Sequence, residues 1–106
     1  MSRIHLLCKK GEHLKETVQK SGIWDSGNWV VTADEAQRLV GGTLYLHETK
    51  GKRSYFGGRI TGFRPIVTND KIKDRTIFTF EFLPQAKDVA WPPGSSVRHS
   101  QLIILD

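Results

Sequence analysis

The run SYFGGRITGFRPI, Ser54 to Ile66, limits the folds open to this chain more than any other stretch. It is rich in β-forming residues, yet Gly57, Gly58 and Gly62 interrupt it. Glycine inside a strand marks a bulge, a sharp coil or a close approach by another backbone or a ligand. Pro65 has no N–H to give and is expected to end the ladder. Downstream, RTIFTFEF (Arg75 to Phe82) alternates cleanly, with Phe78, Phe80 and Phe82 on one face and Ile77, Thr79 and Glu81 on the other. The phenylalanine face is expected to be core, joined by Phe63 and Leu46. A long strand that coils at glycines, beside a strand with one apolar face, suggests a small barrel rather than a flat sheet. Closure would also remove exposed strand edges.

The remaining elements fit around this pair. RIHLLCK, Arg3 to Lys9, reads as a buried first strand. GEHLKETVQKSG has Leu14 and Val18 four residues apart and reads as a short amphipathic helix or as a loop with one turn. GIWDSGNWVV follows, with turn formers Asp25 to Asn28 between Trp24 and Trp29, and reads as a loop. Thr32 and Glu35 form a T-x-x-E capping box, so a helix starts there. Ala36, Leu39 and Val40 give it an apolar face, and Gly41-Gly42 ends it. Thr43 to Glu48 reads as a strand, Thr49 to Arg53 as a loop, Val67 to Asp74 as a polar connection, and Leu83 to Gln101 as a loop-rich connection carrying Trp91. LIILD closes the chain as a buried strand. The expected fold is α+β, mainly β: about five strands and one or two short helices in a single domain, residues 1–106.

Charge and composition then narrow the function. The net charge is +5, with basic residues at Lys9/Lys10, Lys50/Lys52/Arg53, Arg59/Arg64 and Lys71/Lys73/Arg75. This suits a polyanion such as nucleic acid, or equally a basic surface that serves solubility. No apolar run approaches the ~20 residues of a membrane span, and no signal peptide is expected. The single cysteine, Cys8, rules out an internal disulfide; it reads as a small buried hydrophobe and fits a reducing compartment such as the cytoplasm. His5, His13, His47 and His99 lack metal-ligand spacing, and Gly51 stands where a second histidine of H-E-x-x-H would fall. No phosphate-binding glycine loop or serine nucleophile elbow occurs. No catalytic residue, metal or cofactor is therefore assigned.

The aromatic residues outside the Phe-rich strand carry the strongest binding signal. Trp24, Trp29, Tyr55, Phe56 and Trp91 stand beside glycines, prolines and turn residues. Such residues either plug the ends of a small barrel or stack on nucleobases, at ~1–3 kcal/mol per base. Asn28 suits a left-handed turn position, and its amide also suits a base edge. Arg59, between Gly58 and Ile60, suits a phosphate contact or plain solvent exposure.

The order of these pieces resembles the PUA-like superfamily, in particular its EVE and ASCH-type domains. The carrying segments are the helix TADEAQRLVGG, the strand TLYLHE, the loop TKGKR and the strand GGRITGF, within a match from about Trp24 to Arg64. The family's usual Gly-Asp before the strand is here Gly41-Gly42-Thr43, and RIHLLC stands where it has a tryptophan-bearing first strand. The resemblance implies a small pseudobarrel whose aromatic pocket binds a modified nucleobase in DNA or RNA. One wall would come from Trp24, Asn28 and Trp29, the other from Tyr55, Phe56 and Arg59, with Lys50, Lys52, Arg53 and Arg64 on phosphates. Two other readings stand beside it. One is a small amidohydrolase acting on a modified nucleoside, as in some ASCH-type proteins, using Thr43, Glu48 or Glu81 and a lysine. The other is an accessory domain that binds protein.

Overall fold

The computed structural model describes residues 2–94 and 100–105. Among them are seven strands: β1 (Arg3–Leu7), β2 (Leu14–Glu16), β3 (Ile23–Trp29), β4 (Thr43–His47), β5 (Phe56–Val67), β6 (Asp74–Phe82) and β7 (Gln101–Ile104). One α-helix, α1 (Ala33–Leu39), and one 3₁₀ turn (Pro84–Ala86) complete the regular structure. The mainly β expectation holds. Part of the Leu83–Gln101 connection, residues 95–99, lies outside the described residues.

The strands form one sheet in the order β2-β3-β6-β5-β4-β1-β7, and it does not close into a barrel. All pairings are antiparallel except β1 with β4. Two of the seven strands exceed the expected five because segments read as helix or loop pair into the sheet. Leu14 sits opposite Ser26 in the β2–β3 ladder and packs on the core, whereas Val18 remains 66% exposed. The Glu16 carboxylate accepts the N–H groups of Lys20 and Gly22 and so shapes a turn where a helix was one option. The tryptophan stretch, read as a loop, is β3. Its turn formers find sheet partners: the Asp25 carboxylate accepts from Thr79 and Arg64, and Ser26 is buried opposite Phe78.

The core lies on one face of this curved sheet. Ile4, Leu6, Leu44, Leu46, Ile60, Phe78 and Phe80 are essentially inaccessible, as are Ala36 and Leu39 of α1. The capping box is present: the Thr32 hydroxyl accepts from the Glu35 N–H, and the Glu35 carboxylate accepts from the Thr32 N–H. Val40, expected on the apolar face of the helix, is instead its exposed C-cap residue.

The glycines of β5 act as the sequence suggests. A Cβ on Gly57 would meet the carbonyl oxygen of Leu44, and one on Gly58 that of Glu81, so the neighbouring backbones approach too closely for any side chain. A register shift between Ile60 and Gly62 changes the alternation, so that Ile60 and Phe63 both face inward. Pro65 does not end the ladder; it sits opposite Thr76. Pairing with β4 stops at Arg59, which leaves one edge of the later part of β5 free, and proline is tolerated on a free edge.

Candidate functional site

The two ends of the sheet come together without a backbone ladder. Just past β3, the Val30 carbonyl accepts the side-chain amide of Gln101, the first residue of β7. Beside this contact is an open cleft of about 210 Å³. Leu7, Cys8 and Ser100 line it from the β1–β7 end of the sheet; Gly27, Asn28, Trp29 and Arg75 line it from the β3–β6 end; Glu12 and His13 reach it from the β1–β2 connection. The cleft is thus the seam of the unclosed sheet. It is smaller than the ~300–1,000 Å³ typical of pockets for drug-sized ligands.

Local structure fixes what each lining residue offers. Register along β3 shifts between Ser26 and Trp29, and Asn28 projects half-buried at this irregularity. Trp29 is 6% exposed and its indole N–H donates to the Ser26 hydroxyl at 3.0 Å, so it forms a rigid wall. The Arg75 guanidinium donates to the carbonyls of Ile72 at 2.9 Å and Asn28 at 3.3 Å. It also lies 3.6 Å from the Asp70 carboxylate. The Cys8 thiol donates to the Glu12 carbonyl. Burial pushes the thiol pKa up, a tyrosine contact from Tyr55 opposes this, and the Glu12 charge adds to it. A protonated thiol is a poor nucleophile. His13 and Ser100 hold φ values of 53° and 64°. Left-handed non-glycine residues cost of order 1–3 kcal/mol each and gather at functional sites.

Basic residues follow the strand ends next to Leu7 and Cys8 of the cleft. Strands β1 and β4 run parallel, so their C-terminal ends are neighbours, as the Cys8 N–H to His47 carbonyl bond shows. Lys9 and Lys10 follow β1; Lys50, Lys52 and Arg53 follow β4; all five are exposed. The Tyr55 hydroxyl donates to the Lys9 carbonyl and ties the two segments together. Burial and the neighbouring Cys8 push the Tyr55 pKa well up, so it stays a neutral phenol. Lys52 lies 3.9 Å from Glu48, and Arg53 3.9 Å from Asp88.

The residues expected to form two walls are thus only partly assembled here. Asn28 and Trp29 line the cleft. Trp24 and Phe56 meet edge to face with centroids 5.0 Å apart, and Phe56 stacks on Phe82 at 4.7 Å, so these rings pack on one another instead of flanking a space. Arg59 is exposed on β5 between Thr43 and Glu81 in the cross-strand register, at the start of β4 rather than at its basic end. Arg64 pairs with Asp25 at 2.9 Å on the outer face of the sheet. Thr43 opens β4 and Glu48 follows its last residue, about 16 Å away along a strand that rises ~3.3 Å per residue. Sequence reading did not single out Glu12, His13, Arg75 or Ser100 for this site; each borders a strand end, and no spacing joins them. Among the described residues no group of three metal-ligating side chains gathers, and no helix is long and apolar enough to cross a membrane. Comparison with protein-family models, with curated proteins and with solved structures finds no match to this chain.

Proposed function

We propose that this chain is a nucleic-acid-binding module of PUA-like pseudobarrel type, and that the seam cleft receives one modified base. The observation that carries the reading is the meeting of Asn28 and Trp29 with Arg75 and Glu12 in one small open cleft, beside five exposed lysines and arginines. Trp29 supplies a flat wall. The Asn28 amide both donates and accepts and can read a base edge. Lys9, Lys10, Lys50, Lys52 and Arg53 supply the phosphate contacts that position without specifying. A base drawn out of a stack costs a few kcal/mol, which the cleft contacts must offset.

The test is a binding screen of modified and unmodified, single- and double-stranded oligonucleotides at two salt concentrations. Trp29 is unsuited to mutation because its ring is part of the core. Asn28→Ala is preferred, since the side chain is half-exposed. A folded Asn28→Ala protein with unchanged affinity and unchanged modification preference would sink the cleft assignment. Failure of the wild type to bind any oligonucleotide at low salt would sink the whole reading.

A further inference from the structure

A second cluster occupies the opposite face of the sheet. His5 of β1 and Tyr45 and His47 of β4 alternate with the core residues Ile4, Leu6, Leu44 and Leu46, so they point outward. They are nonetheless covered. His5 is 1% exposed and His47 0%, and Trp91 lies over both at ring-centroid distances of 5.6 and 5.1 Å. Tyr45 stacks on His5 at 4.7 Å.

The hydrogen bonds fix where the protons are. The Lys52 carbonyl can only accept, so His47 Nδ1, 3.0 Å away, carries a proton. In the neutral ring His47 Nε2 is then an acceptor. His5 Nδ1, 2.9 Å from it, must donate. That leaves His5 Nε2 as a bare lone pair, buried and without a partner among the described residues; the Trp91 indole N–H is likewise buried without one among them. The next proton has one place to go, His5 Nε2, beneath Trp91.

We propose that Trp91 is an acid-released lid, which opens when the His5–His47 pair takes up a proton and so frees the loop from Lys50 to Arg53. Among the described residues the groups around the pair offer an imidazolium no carboxylate. Arg3 repels it from β1, Tyr45 stacks from β4, Leu102 stands opposite on β7, Trp91 covers it, and the Lys52 carbonyl is already engaged. Burial, then the neighbouring His47 and Arg3, lower the His5 pKa to about 4. Burial lowers that of His47 as well. As pH falls below the ordinary histidine value of about 6.5, a closed lid keeps His5 uncharged at growing cost. Opening the lid is the least costly release. Among the described residues the chain on either side of Trp91 is tied at Asp88 and Val89, by bonds to Ser54 and Arg53, and at Ser100, whose carbonyl accepts from the Leu7 N–H. Once open, water solvates His5 Nε2–H, and His47 loses the packing that holds it on the Lys52 carbonyl.

The test is ¹⁵N NMR of the imidazole and indole groups from about pH 7.5 to about pH 4. Both buried histidines should be Nδ1–H tautomers at neutral pH. On acidification the Trp91 indole N–H should exchange with water about tenfold faster, after correction for intrinsic exchange, while the amides of β3 and β6 keep their protection. His5→Asn keeps a donor to His47 Nε2 and removes the bare nitrogen, so its lid should stay shut. An Nε2–H tautomer on either ring, a Trp91 signal protected down to pH 4, or simultaneous loss of the β3–β6 amides would each overturn the proposal. Tautomers and exchange in the wild type decide the matter even where His5→Asn fails to fold.

Discussion

If the proposed nucleic-acid binding holds, its salt dependence separates the cations that can serve phosphates from those the fold already uses. Arg64 and Arg53 look alike in sequence, each an arginine beside a strand. In the structure Arg64 lies 2.9 Å from an Asp25 carboxylate whose side chain is only 20% exposed, and Asp25 is held further by Thr79. Lys52 and Arg53 have looser acidic neighbours at 3.9 Å, with their own side chains 66% and 61% exposed. Exposed pairs of that kind are worth ~0–1 kcal/mol and give way readily to a phosphate. Each phosphate contact contributes a slope of about −0.9 for duplex DNA, or about −0.7 for a single strand, to log K against log salt. Replacing Lys50, Lys52 and Arg53 together by glutamine should flatten the slope by up to about 2.7 on duplex or about 2.1 on single strands. Arg64→Gln should change it by well under ~0.9, since no counterion is released at a charge already matched within the protein. The assay is fluorescence anisotropy with a labelled oligonucleotide across a salt series. Equal flattening per charge by Arg64→Gln and by the triple variant would refute the reasoning, as would a triple variant with an unchanged slope.

Other expectations follow from single contacts. Thr32→Ala removes the capping-box hydroxyl and should cost about 1 kcal/mol in urea unfolding. Ser26→Ala leaves the buried Trp29 N–H without its partner and should cost about 1–3 kcal/mol, with a shift in near-ultraviolet circular dichroism. Phe80→Ala should cost about 3–5 kcal/mol, because the side chain is wholly buried among Ile60, Trp24 and Phe56. Burial raises the Asp25 pKa, but the hydrogen bonds of Arg64 and Thr79, with the charges of Arg64 and Lys15, lower it below the usual carboxylate value. The stability this confers is present above about pH 4 and lost as pH falls through the folded-state value; Asp25→Asn should lose that acid dependence in unfolding experiments.

Patterns that act over a few residues were readable in the sequence. The capping box, the alternating phenylalanines and the closely approached glycines of β5 each depend on neighbours within one element or one hairpin. The stretches misread were those in which a long-range partner overrides a local preference. Leu14 and Val18 have helical spacing, but Ser26 across the β2–β3 ladder draws Leu14 into a strand and leaves Val18 outside. Asp25 to Asn28 have turn composition, but Thr79, Arg64 and Phe78 supply sheet partners that sequence proximity does not reveal.

The same distinction explains why the site was half visible. Asn28 and Trp29 stood out because tryptophan and asparagine are conspicuous in a run of small residues. Arg75, Glu12 and Ser100 did not, because a seam between strands far apart in the chain has no periodicity of its own. Histidines 42 residues apart likewise show nothing in their spacing. They meet only because β1 and β4 run parallel with His5 opposite Tyr45 and Leu7 opposite His47. That one parallel pairing has two consequences. It brings Lys9 and Lys10 beside the Lys50–Arg53 loop, and it places the neutral imidazole pair under Trp91, with the Lys52 carbonyl bonded to His47. A loop whose exposed side chains are cationic and whose backbone is held by an imidazole would, under the two proposals above, be coupled to pH through covalent connection alone. On that reading, loosening at His47 frees the Lys52 carbonyl first and reaches Lys50 and Arg53 through the chain.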